Sequence, residues 1–315
     1  MRIFRHDRVA ADDRGAVVAI GNFDGVHLGH QRVIGEAGAI AGRLGAPHAV
    51  LTFEPHPRRV FRPQDPPFRL TPFRPKARRI EALGVDLLFT LHFDLDFARR
   101  SAEEFIAGVL VQGLGARHVV VGYDFVFGHG RRGNPALLAE RGAAAGFGVT
   151  LIDPVAAAGG AAYSSTRIRE HLVAGEPRAA AALLGCFWEI DGRVERGDQR
   201  GRTIGFPTAN LFLEDYLRPA GGVYAVRAAV EEGGTPHWHD AVANFGTRPT
   251  FGGTDLRLEV HLFDYDGDLY GRHLRIALID HLRPERKFPG LDALKAQIAE
   301  DAKQARQILN SLPPW

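Results

Sequence analysis

One cysteine in 315 residues, Cys186, excludes an internal disulfide and a zinc centre built on several thiolates. No apolar run approaches the roughly 18 residues that a membrane-spanning helix needs. The N-terminal stretch "MRIFRHDRVAADDRG" lacks the apolar segment of a secretory signal. A cytoplasmic chain with no membrane partner is the expectation. Strong charge of either sign is also missing, since 39 Lys/Arg face 37 Asp/Glu. The balance is uneven: residues 1–185 carry 23 basic against 18 acidic side chains, and residues 186–315 carry 16 against 19. So small a surplus argues against a nucleic-acid partner, which favours a clustered basic face. It suits a pocket for a small polyanion. Internal repeats and low-complexity segments are absent as well.

What is there falls into two grammars. In the first half, short apolar runs at 16–21, 48–53, 86–91, 117–122 and 147–152 alternate with helical patterns at 29–44, 72–83, 101–112 and 134–145. Such alternation predicts an α/β domain, Rossmann-like, with a parallel sheet covered on both faces. Ligands then bind beyond the carboxyl ends of the strands, where "GNFDGVHLGH", "EPHPRR" and "GYDFVFGHG" fall. Two short helices follow at 165–185, with Gly175 and Pro177 between them. After that come strand patterns at 187–195, 207–213, 223–231, 238–244, 256–263 and 272–282, then one helix at about 291–309. These predict a small antiparallel β-barrel with a terminal helix. The expected domains are 1–185 and 186–315.

The stretch "GNFDGVHLGHQ" at 21–31 places two histidines where a strand turns into a helix. A helix start offers backbone N–H groups and the positive end of the dipole to a phosphate, and an imidazole adds a hydrogen bond. Gly29 lets the backbone approach a ligand closely, and Asp24 caps the turn or orients a histidine. A metal pair and an ordinary helix cap are the competing readings of His27 and His30. No further ligands at metal spacing accompany the pair, which favours phosphate. A second segment, "YSSTRIRE" at 163–170, sets hydroxyls and two arginines at another helix start. Guanidinium grips phosphate oxygens in pairs.

Together, "GNFDGVHLGH" and "SSTRIR" resemble the two signatures of the nucleotidylyltransferase superfamily. "TFEPHPR" and "VVGYDFVFG" narrow the resemblance to the FMN adenylyltransferase module of bacterial FAD synthetases. "GRTIGFPTANL", "NFGTRPTF" and "LEVHLFDYDGDLYG" resemble riboflavin kinase. Both modules in this order resemble the bifunctional riboflavin kinase/FMN adenylyltransferases over nearly the whole chain. The resemblance implies two ATP-dependent steps, riboflavin to FMN and FMN to FAD, with Mg2+ as cofactor and riboflavin, FMN and ATP as small-molecule partners. It implies that His27, His30, Ser165, Thr166 and Arg169 hold the ATP phosphates of the adenylyl site. Asp124 and Phe125 match the flavin-side loop, although Val126 stands where relatives often carry arginine.

In the second half the resemblance gives Glu259 as catalytic base, Thr208 and Asn210 as metal-binding residues, and Gly201 and Gly205 as the nucleotide turn. Oxygen-bearing side chains suit magnesium, a hard cation that keeps most of its waters. On its own, Glu259 also reads as an exposed carboxylate on a strand. "FDYDGD" lacks the spacing and closing glutamate of a calcium loop, and reads as a turn. Leu291, Leu294, Ile298 and Ala305 give the terminal helix an apolar stripe for packing. Two other readings are a different nucleotidylyltransferase, such as a pantetheine-phosphate or nicotinate-mononucleotide adenylyltransferase, and a non-catalytic flavin-binding protein. The kinase-like second half opposes the first, and the intact phosphate motifs oppose the second.

Overall fold

The computed structural model describes residues 1–154, 163–195, 206–213, 215–231, 233, 235–250 and 253–313, with backbone alone at 247–250 and 253–256. The chain divides into two compact units. One comprises Met1–Pro66 and Thr71–Ser164, the other Pro67–Leu70 and Ser165–Trp315.

The first unit holds six strands: β1 (Arg2–Phe4), β2 (Val17–Ile20), β3 (His48–Glu54), β4 (Leu87–His92), β5 (His118–Gly122) and β6 (Gly148–Ile152). All pair in parallel, in the order β1-β4-β3-β2-β5-β6. Its helices are α1 (Leu28–Leu44), α2 (Pro57–Phe61), α3 (Phe73–Glu81), α4 (Leu95–Ala98), α5 (Ala102–Glu104, continued by a π-helical stretch Phe105–Gly113) and α6 (Pro135–Ala145). The apolar runs are continuous because both sheet faces are covered. Val18, Leu51, Phe89 and Val119 share a core with α5, whereas Val17, Val50, Leu88 and Val120 pack with α1 and α3. Connections leave β2 toward β3 on one side, while β5 lies on the other. In open sheets of this kind, ligands bind beyond the carboxyl ends of the strands at such a reversal.

The three-residue β1 carries no period long enough to read, and only its pairing with β4 makes it a strand. The helical pattern over 101–112 is present, but most of it is π-helical.

The second unit begins with α7 (Ser165–Val173) and α8 (Pro177–Leu184), which opens on its proline. Six antiparallel strands follow: β7 (Trp188–Arg193), β8 (Ala209–Phe212), β9 (Gly222–Val230), β10 (Trp238–Thr250), β11 (Gly253–Leu262) and β12 (His273–Arg283). Their order is β7-β12-β9-β10-β11-β8. A bridge from Glu195 to Asn210 draws the two ends together, so the sheet is a nearly closed barrel. Strand β10 runs past Gly246 and Pro249, residues that read as breakers, because β11 pairs with it as far as Thr250.

The terminal helix α9 (Leu291–Asn310) buries Asp301, Ala305 and Leu309. Leu291, expected in the packed stripe, is 55% exposed. Buried Asp301 takes a two-pronged ion pair from Arg283, with Nε–Oδ1 at 2.9 Å and Nη2–Oδ2 at 2.7 Å. That pairing makes an acidic residue acceptable on the buried face.

Four residues of the second unit come from far upstream. Leu70 is fully buried, and its carbonyl accepts the indole N–H of buried Trp188 at 2.8 Å. Arg69 bridges to Tyr216, and its carbonyl accepts from Leu217 N.

Candidate functional site

Strand β2 ends at Ile20, and the loop from Gly21 to α1 has an unusual backbone. Phe23, Gly25 and Val26 adopt φ of 49°, 89° and 43°. Left-handed conformations at two non-glycine residues, one of them β-branched, cost about 1–3 kcal/mol each. Buried bonds hold the loop in place: Gly25 N donates to Thr71 Oγ1 at 2.7 Å, and Gln31 Nε2 donates to Val26 O at 2.9 Å. The loop delivers His27 to the start of α1, where its Nδ1 accepts from His30 N at 3.3 Å. The cap of α1 is therefore His27. Asp24, expected to cap the turn or to orient a histidine, accepts from Thr71 N at 2.9 Å and Thr71 Oγ1 at 3.3 Å.

The rings of His27 and His30 stack at 3.5 Å, and Phe23 meets His30 edge-on at 5.3 Å. With Nδ1 of His27 accepting, the neutral ring carries its proton on Nε2, the tautomer that donates. A side chain at Gly29 would press within 3.2 Å of the His27 ring and 3.3 Å of Tyr163. The glycine thus makes room for the imidazole. Both imidazoles lie at the positive end of a 17-residue helix.

At the same edge of the sheet, β5 leads into Asp124 and Phe125. Phe125 stacks on Phe127 at 5.3 Å, while Tyr123 and Val126 are 51% and 37% exposed. Ring contacts continue from Phe127 through Phe105, Phe97 and Phe93 to Phe61, which is 59% exposed. This aromatic row was missed in the motif reading. The signal was the phenylalanine content, 20 residues, with three in "FTLHFDLDF".

Ser165, Thr166 and Arg169 belong to the second unit. Ser165 and Thr166 open α7, with Thr166 exposed. Arg169 donates through Nε to Phe68 O at 2.8 Å and lies 5.5 Å from the Phe68 ring centre.

In the barrel, the structure brings three expected residues together. Glu259 on β11 is the register partner of Asn210 on β8 and of Asn244 on β10. Paired residues on adjacent strands point to one face, so the half-buried carboxylate lies between two amides. Asn210 is 6% exposed, and its Nδ2 donates to Thr208 O at 3.5 Å. His261, two residues beyond Glu259, pairs Nδ1 with Pro207 O at 2.8 Å and meets Phe206 edge-on at 5.5 Å. The "FPTAN" segment is thereby fixed to β11. Asn244 opens the quoted "NFGTRPTF" motif, but only strand register shows that it sits beside Glu259. Gly201 and Gly205 lie outside the described residues. No group of three or more potential metal-ligating His, Cys, Asp or Glu side chains occurs among the described residues.

Comparison with known proteins agrees with both halves. The family model for FAD synthetase matches residues 9–167, and that for riboflavin kinase matches residues 184–309. The bifunctional riboflavin kinase/FMN adenylyltransferase of Escherichia coli is 41% identical over 317 residues, covering 100% of both chains. Those of Haemophilus influenzae and Bacillus subtilis are 41% and 38% identical, covering 95% and 98% of this chain and 96% of each relative. A solved structure from Streptococcus pneumoniae, described as a macrolide-efflux protein, superimposes with a TM-score of 0.85 at 31% identity. It covers 97% of this chain and 98% of its own. No helix among the described residues is long and apolar enough to cross a membrane.

Proposed function

The chain belongs to the bifunctional riboflavin kinase/FMN adenylyltransferase family, and from that premise we propose which residues carry its two reactions. The enzyme phosphorylates riboflavin with ATP, giving FMN and ADP. It then joins FMN to the AMP portion of a second ATP, giving FAD and pyrophosphate.

The kinase chemistry is assigned to residues 186–315, and Glu259 is its general base. The ribityl hydroxyl must lose a proton as it attacks the γ-phosphorus. A carboxylate on a strand, with Asn210 and Asn244 as its register partners, can take it. Phosphoryl transfer otherwise depends on in-line positioning and charge neutralisation. The hydroxyl of Thr208 and the amide oxygen of Asn210 fit a hard cation, and they would hold the Mg2+ that neutralises phosphate charge when bound. The register that places Glu259 between Asn210 and Asn244 is the observation that carries this assignment. Gly201 and Gly205 are assigned to the nucleotide turn by motif alone.

The adenylyl chemistry is assigned to residues 1–185. Its nucleophile is an FMN phosphate, already ionised, so the site needs donors and positive charge more than a base. His27, His30 and the α1 dipole supply these to the triphosphate, and Ser165, Thr166 and Arg169 are assigned as the second phosphate-binding segment by motif alone. Of the aromatic row, the half-buried Phe125 and the exposed Phe61 lie outside the core and offer faces on which the isoalloxazine ring stacks. The partners are small molecules rather than nucleic acid, and the compartment is the cytoplasm. The modest charge and single cysteine support both readings.

A chromatographic time course with riboflavin, ATP and magnesium tests this division. FMN should appear first and FAD second. The double variant His27→Ala/His30→Ala should stop at FMN. Continued FAD synthesis by that folded variant would remove the phosphate assignment.

A further inference from the structure

Neither reaction has yet used the segment "TPFRPK", residues 71–76, at the start of α3. Thr71 and Asp24 are each 2% exposed. Thr71 N and Oγ1 both donate to Asp24 Oδ1, while Thr71 Oγ1 accepts from Gly25 N. The hydroxyl therefore relays between a carboxylate and an amide that are neighbours in the chain. It does so in the middle of the left-handed loop that ends at His27. Five residues on, the fully buried Lys76 places Nζ 2.9 Å from Glu54 Oε1, where β3 ends and "EPHPRR" begins. The start of α3 is thus tied to the loops leaving both β2 and β3.

We propose that Thr71 is a positioning residue for adenylyl transfer, acting through Asp24 and Gly25 to hold the loop that presents His27 to the triphosphate. The inference rests on the phosphate assignment of His27 and His30. Three features point to it. The loop adopts a conformation that two of its residues disfavour. Its restraints include this buried hydroxyl from another element. The group it delivers is an imidazole whose place at the helix cap is set by the loop's last φ/ψ values. A small displacement of a substrate-holding group costs rate more than it costs binding of the partner substrate.

Thr71→Val keeps the shape and the backbone N–H bond but removes the hydroxyl. For FAD formation from FMN and ATP, kcat should fall by about 10- to 100-fold, while KM for FMN stays within about threefold. Riboflavin phosphorylation by the same chain should be unchanged. Thr71→Ser restores the hydroxyl without the methyl and should recover kcat. If Ser is as defective as Val, methyl packing is responsible and the proposal falls. A Thr71→Val enzyme at the wild-type rate, beside an inactive His27→Ala, overturns the brace and spares the phosphate assignment. An active His27→Ala overturns both. One readout needs no variant: the Gly25 amide should be strongly protected from hydrogen exchange in the wild-type enzyme. Exchange at an unprotected rate would show that the Thr71 bond does not hold the loop.

Discussion

Replacing Leu70 by alanine should destabilise the second unit, although residue 70 lies within the stretch matched by the FAD synthetase family. Leu70 is fully buried, and its segment is grouped with the barrel. A buried Leu→Ala change removes about 2–5 kcal/mol, set against a typical domain stability of about 5–15 kcal/mol. The carbonyl that accepts from Trp188 is backbone and survives, so the loss is packing alone. For a urea slope near 2 kcal/mol/M, the midpoint should drop by about 1–2.5 M. Detection is simple because the three tryptophans, 188, 238 and 315, all lie beyond residue 185. Their fluorescence follows the second unit alone. If the tryptophan transition of Leu70→Ala coincides with that of the wild type, residues 67–70 are not part of that unit's core.

Glu259→Gln should lower riboflavin phosphorylation by about 10²–10⁴-fold, since the amide keeps the size and hydrogen bonding but cannot accept the proton. FAD synthesis from supplied FMN is the internal control, and a wild-type kinase rate would remove Glu259 as the base. Acid should weaken the first unit through His118, whose pKa is lowered by burial and by the nearby Arg43. The unfolded chain takes up a proton near pH 6.5 that the folded ring resists. Stability present above that pH is therefore lost as pH falls below it. His118 Nε2 also pairs with Thr150 Oγ1 at 2.8 Å, joining β5 to β6. Thermal unfolding followed by circular dichroism should show a smaller drop between pH 7.5 and 5.5 in His118→Gln than in the wild type; equal drops would clear His118.

Much of this architecture can be read in advance where sequence and structure share a period. The runs at β2, β3, β4 and β5 are apolar because they are buried on both faces, and their lengths bound them well. Glycine and proline mark the step from α7 to α8 for the same local reasons. What escaped is non-local. Thr71 and Asp24 are 47 residues apart, and Leu70 and Trp188 are 118 apart. Neither pairing leaves a periodic trace. Asn244 belongs to a motif legible in the sequence, but its place beside Glu259 comes only from register. Leu291 and Asp301 mislead in opposite senses: Leu291 is exposed in the first turn of α9, and the ion pair from Arg283 allows Asp301 to be buried. At the candidate site, His27 and His30 were legible from their helix-start spacing. The cap made by His27, and the crowding that requires Gly29, depend on the left-handed turn before them.

That turn also bears on how fast nucleotide arrives. A phosphate loop that must order itself around its ligand adds a slow step to association. Here the loop is tied to two other elements, through Thr71 before α3 and Gln31 on α1. A loop restrained in this way is expected to capture nucleotide without a closure of its own. The encounter rate should be set by diffusion and by the field of the helix start and nearby arginines. The on-rate for ATP should accordingly fall smoothly with added salt and stay linear in nucleotide concentration, without the plateau of a gated site.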